Sequence, residues 1–88
     1  MKELDPNIKK IRLSVRNAET VVYDNFCKGV SSVNDKADFD VLPMHSNFIS
    51  IVKDYVRIHE LSGKIRNITI SSGVLRVKKD IAEIFLGI

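Results

Sequence analysis

The residues able to do covalent or acid–base chemistry are few: one cysteine, Cys27, two histidines, His45 and His59, and two carboxylates, Asp38 and Asp40, separated by Phe39. Nucleophilic catalysis needs a Ser or Cys within reach of a base that a third group orients. Cys27 follows Phe26 inside an apolar stretch and reads as a small buried residue. The two histidines lack the His-Glu-x-x-His arrangement of a metal-binding helix, so no metal ligand set is expected. The glycines stand apart at 29, 63, 73 and 87, which excludes a glycine-rich phosphate loop. The i, i+2 spacing of Asp38 and Asp40 suits two side chains on one loop face as readily as a general acid–base pair. No active site, cofactor or metal is expected from these residues.

Charge points only weakly to a partner. The 14 Lys and Arg against 11 Asp and Glu leave a formal net charge of +3. Nucleic-acid binders concentrate basic residues on one face or interleave them with stacking aromatics. Here one basic cluster is Lys9, Lys10 and Arg12, another is Arg76, Lys78 and Lys79, and neither has a neighbouring aromatic pair. Solvated strand faces account for both. Nucleic acid is therefore not an expected partner, although a stand-alone basic β-sandwich adaptor or nucleic-acid-binding module remains the second reading.

The elements that must position these residues are strands. The 88 residues are 44% apolar, enough for one domain with one core. A single cysteine allows no internal disulfide, which suits a reducing compartment. Residues 1–10 show no signal-peptide pattern, and the longest apolar run, Ile81 to Ile88, falls short of the roughly 20 residues needed to span a bilayer. A chain in, or facing, the cytosol is expected.

From Lys10 to Arg16 apolar and polar residues alternate, placing Ile11, Leu13 and Val15 on one face of a strand. Asn17-Ala18-Glu19 reads as a tight connection, and Thr20 to Asp24 as the partner strand of a hairpin. Phe26 to Val33 continues with Gly29 in its middle, where a bulge or a close backbone approach is expected. Asn34 to Asp38 is a polar loop, and Phe39 to Leu42 a short apolar run ended by Pro43. Short strands then follow over Tyr55 to Leu61, Asn67 to Ser71, Val74 to Lys78 and Ile81 to Leu86, with turns at Ser62-Gly63-Lys64, Ser72-Gly73 and Lys79-Asp80. Such spacing predicts a sandwich or barrel. Residues 48–61 also fit a helix, with Ser46 as its cap and Gly63 as its end, while their β-branched side chains argue for a strand.

Leu42-Pro43-Met44-His45, together with Ser71-Ser72-Gly73-Val74-Leu75-Arg76-Val77, resembles the N-terminal β-sandwich domain of the epsilon subunit of F-type ATP synthases, whose loop reads roughly Gly-Glu-Phe-Gly-Ile-Leu-Pro-Gly-His before Ser-Gly-Gly-Phe-Leu-Glu-Val. The resemblance covers about Lys10 to Leu86. It implies an all-β, two-sheet antiparallel β-sandwich, a flattened barrel of about 8–10 short strands, over residues 10–88, with residues 1–9 as an N-terminal extension. It also sides with strands for 48–61. The family's Lys-Pro-Gly turn is replaced by Lys53-Asp54-Tyr55, however, which keeps the helix open.

The implied role is that of a rotor component without catalysis, packing on the gamma subunit and the c-ring at the cytoplasmic face of the inner (plasma) membrane. It would couple proton transport to ATP synthesis and touch the membrane only through the complex. Asp38, Pro43, Met44 and His45 would form the c-ring or gamma contact. Alternative roles are a turn-capping carboxylate for Asp38 and a backbone-bonded structural imidazole for His45, while Phe39 and Leu42 are expected in the core. Ala37, Asp40 and Met44 stand where the family has glycine. If those glycines serve positive φ, Met44 tolerates it worst and the loop is reshaped. Ending at Ile88, the chain has no room for the family's C-terminal helical hairpin, so a short form or a fragment is expected.

Overall fold

A computed structural model describes residues 9–87. The expected N-terminal extension therefore lies outside the described residues except for Lys9. Six strands follow in order: β1 (Ile11–Arg16), β2 (Val21–Val33), β3 (Asp38–Val41), β4 (Phe48–Glu60), β5 (Ile65–Lys78) and β6 (Ile81–Leu86). The sheet order is β1-β6-β5-β4-β2-β3, and an additional pairing of β1 with β2 closes the first five strands into a barrel. β3 stands outside that ring, beside β1 on the same edge of β2, with Val30 to Val33 opposite Val41 to Asp38. Extents of 37 × 27 × 19 Å show the barrel to be flattened. The short dimension suits two sheets packed about 10 Å apart.

This is the all-β sandwich that the sequence pattern and the resemblance implied, with two corrections. The strands are fewer and longer than the expected 8–10, because three of them run 13 or 14 residues and bend instead of stopping. Each bend is a register shift: between Cys27 and Gly29 in β2, and between Lys53 and Asp54 in β4, where Ser71 of β5 has no opposite residue. A bulge adds twist and lets one strand serve both layers. The second correction concerns direction. β1 and β6 pair in parallel, Arg12 opposite Ile81 through Arg16 opposite Phe85, while the other pairings are antiparallel.

Residues 48–60 form strand, not helix, and Leu61 begins the turn that follows. Val52, Val56 and Ile58 are fully buried among neighbours on β2 and β5, and such β-branched residues pack well on a pleated surface. The replaced Lys-Pro-Gly turn becomes the kink itself, since Asp54 adopts φ 68° there. Ser32, 1% exposed, donates from Oγ to the Tyr55 carbonyl at 2.6 Å and so satisfies a backbone group released by the kink. Ser72-Gly73, expected as a turn, lies inside β5. A Cβ at Gly73 would stand 2.7 Å from the Phe85 carbonyl oxygen, so this glycine serves close strand approach.

The core consists of alternating inward residues such as Ile11, Leu13 and Val15 on β1, Leu75 and Val77 on β5, and Ile84 on β6. The expected hairpin is present, with Asn17 Oδ1 accepting from the Glu19 and Thr20 amides at 2.8 Å. Cys27 is buried and unpaired.

Candidate functional site

The four residues assigned to a contact separate into two places. Pro43, Met44 and His45 share the β3–β4 loop, whereas Asp38 opens β3 at its other end. The loop is folded by a turn in which the His45 amide donates to the Leu42 carbonyl. It is also tied to the β5–β6 turn: the Met44 amide donates to Asp80 Oδ1 at 2.8 Å, and the Lys79 amide to Asn47 Oδ1 at 2.9 Å. Met44 pays the expected conformational penalty, with φ 67° at a position where the resembling family has glycine. Its side chain, 71% exposed, projects from this end of the barrel.

His45 takes the backbone-bonded role. Its Nδ1 lies 2.7 Å from the Ser46 carbonyl, which can only accept, so Nδ1 carries the proton. Its ring packs on Phe48, with centroids 4.9 Å apart, and Phe48 in turn meets Phe39 edge-on at 5.7 Å. Phe39 thus joins the rim of the core as expected. Leu42 does not, being 57% exposed and lying over Gly29. The turn-capping role falls to Asn34, whose Oδ1 accepts from the Lys36 and Ala37 amides. Asp38 remains exposed at the head of β3.

Strand register creates one constellation that linear spacing concealed. Ser31 of β2 is opposite Asp40 of β3 on one side and Arg57 of β4 on the other. Ser31 Oγ lies 2.5 Å from Asp40 Oδ1 and 2.9 Å from His59 Nε2. A hydroxyl has one proton, and the short distance to the carboxylate places it there. His59 must then donate Nε2–H to Ser31 Oγ. The order carboxylate, hydroxyl, imidazole is the reverse of a hydrolytic triad, in which imidazole separates the other two. It does not activate Ser31. These residues lie 9 and 28 positions apart on three strands, so only pairing across β2 could reveal them.

Cys27 is likewise unsuited to attack. Burial, opposed by a bond from the Gly29 backbone and reinforced by the charge of Glu60, pushes its thiol up to about 11, so it stays protonated at neutral pH. Among the described residues no group of three His, Cys, Asp or Glu side chains converges as a metal site would require.

The two basic clusters meet on one outer face, with β6 between them. Adjacent rows there read Arg16, Phe85, Val74, Ile51 and Ser14, Glu83, Arg76, Ile49 across β1, β6, β5 and β4. Ile49, Ile51 and Phe85 are 71%, 53% and 43% exposed. Such an apolar stripe framed by charge is a protein-contact surface in type. Arg12 pairs with Asp24 at 2.7 Å, and the one ring beside it, Phe26, is covered by Lys10 and Arg12 themselves, which leaves no base-stacking platform there.

No protein-family model and no curated protein sequence matches the chain. Solved structures do. A chain of the Euglena gracilis mitochondrial ATP synthase, in its OSCP/F1/c-ring assembly, superposes with a TM-score of 0.83 at 17% identity over 97% of this chain. A chain of the Tetrahymena thermophila mitochondrial ATP synthase central stalk and c-ring gives 0.70 at 11% identity over 89%. The present chain spans 56% and 63% of those two chains. It therefore has the fold of small β domains found in ATP synthase stalk assemblies, in keeping with the resemblance carried by Leu42 to His45 and Ser71 to Val77.

Proposed function

We propose that this chain is a non-catalytic central-stalk subunit of an F-type ATP synthase, packing on the gamma subunit and the c-ring and helping to couple proton transport to ATP synthesis. The supporting observation is the shared fold over 97% of the chain, at a TM-score of 0.83, with a chain from an ATP synthase OSCP/F1/c-ring assembly. A protonated Cys27 and a Ser31 whose proton is committed to Asp40 accord with a role outside catalysis. The chain would then be peripheral at the cytoplasmic face of the inner (plasma) membrane, held there by its partners.

We assign the gamma contact to the stripe of Ile49, Ile51 and Phe85 with its arginine frame. The c-ring contact falls to the barrel end bearing Pro43, Met44 and His45; Asp38, at the opposite end of β3, stands apart from it. Co-purification with gamma and c-ring subunits tests the proposal. Ile51→Asp and Phe85→Asp alter exposed positions, so folding should change by less than about 1 kcal/mol. Loss of a central apolar anchor should weaken gamma binding by about thirtyfold or more. Failure of the wild-type chain to bind either partner would overturn the role. Unchanged gamma binding by both variants would overturn the assigned face alone.

A further inference from the structure

The sheet formed by β3, β2, the second half of β4 and the first half of β5 carries on its outer side a cleft of about 430 Å³, lined by Lys28, Gly29, Ser31, Asp40, Arg57 and His59 together with Leu42. The bulge at Cys27/Gly29 makes it: the inserted residue breaks alternation, so Lys28 and Ser31 both face the cleft and Gly29 leaves its floor without a side chain. It belongs to the face opposite the apolar stripe.

Arg57 is held in advance of any ligand. Its Nε donates to Asn67 Oδ1 at 2.9 Å, and its guanidinium lies 4.9 Å from the Tyr55 ring centroid. Both Nη groups have no acceptor among the described residues, and Lys28 likewise has no acidic partner there. The single carboxylate of the cleft, Asp40, is already bonded by Ser31, and His59 faces it through the same hydroxyl. One positioned guanidinium and one unpaired ammonium thus share the cleft with one engaged negative charge, the first offering donors in a fork and the second a point charge.

The geometry points to a phosphate-binding site in this cleft, with the Arg57 Nη groups and Lys28 Nζ as its cationic arms and His59, fixed through Ser31 and Asp40, as its polar wall. The ligand is a phosphate group, free or as a monoester.

The test is titration of the whole 88-residue chain with inorganic phosphate and, separately, phenyl phosphate, followed by amide NMR shifts at constant ionic strength held with chloride. Saturable shifts are expected at residues 28, 29, 57 and 59. Arg57→Gln should weaken binding roughly tenfold and Lys28→Gln roughly threefold, while Lys79→Gln, at the barrel end, leaves it unchanged. Asp40→Asn removes the opposing charge and should tighten binding roughly threefold or more. That gain of affinity is a result no loss of structure can imitate. Saturable binding of either compound supports the site, and the tighter of the two identifies its source. Shifts reproduced by chloride, spread equally over Arg76 and Lys79, or unmoved by Asp40→Asn overturn it.

Discussion

Replacing Gly29 by alanine reverses an ordinary expectation, and the sign of the effect is its test. In a strand, alanine is normally preferred over glycine by about 0.5–1 kcal/mol, because glycine loses more backbone freedom on folding. At Gly29 the added Cβ would stand 2.8 Å from Leu42 Cδ2 and 2.9 Å from the Val41 carbonyl oxygen. Leu42 is exposed and can rotate away. The Val41 oxygen belongs to the backbone of β3 and cannot. Carbon–oxygen contacts relax at about 3.3 Å, so β3 must retreat by about 0.4 Å. That shift falls on a four-residue strand outside the closed barrel, paired to β2 alone and contributing the fully buried Val41 to the core. Overpacking of this kind costs about 1–3 kcal/mol. Set against the intrinsic gain, a net loss of about 0.5–2 kcal/mol results, or several degrees in melting temperature for a domain of this size. Urea unfolding should show a lower midpoint with an unchanged slope, and amide exchange should accelerate over residues 38–41 more than in β1 or β6. A variant as stable as the parent, with β3 exchange unaltered, would refute the close approach of β3 to Gly29.

Met44 gives the opposite comparison. With φ 67° and 71% exposure, Met44→Gly should be more stable than Met44→Ala by about 0.5–1 kcal/mol in urea unfolding, since only glycine escapes the left-handed penalty. Ser32→Ala should cost about 1–3 kcal/mol by removing the donor to the Tyr55 carbonyl, and Ser32→Val should not recover it, because the carbonyl stays unpaired. Cys27 sets a pH dependence. Its thiol ionises near 9.0 in the unfolded chain and about 11 in the folded one, so the unfolded state loses the proton first. Stability is then level below about pH 9 and declines from there to about 11, a slope that Cys27→Ala should flatten in unfolding measured across that range. Iodoacetamide should label Cys27 in urea and spare it in the native state.

Where local chemistry was enough, the sequence spoke plainly. Alternation at Ile11, Leu13 and Val15 identified a half-buried strand because the side-chain period of a strand is two. Asn17 marked its turn because its amide can bond the backbone two residues on, and Gly29 announced a close approach because any Cβ there has nowhere to go. The motifs at Leu42 to His45 and Ser71 to Val77 pointed to the fold that the ATP synthase stalk structures share. Strand number was not legible, since a bulge needs no glycine or proline and Asp54 could turn the chain as well as either. The exposure of Leu42 followed from what Gly29 omits on the neighbouring strand. Ser31, Asp40 and His59 came together only because β2 pairs with β3 on one edge and β4 on the other. A one-residue change of register would put them on opposite faces, so their meeting, and the cleft it lines, belongs to the tertiary structure alone.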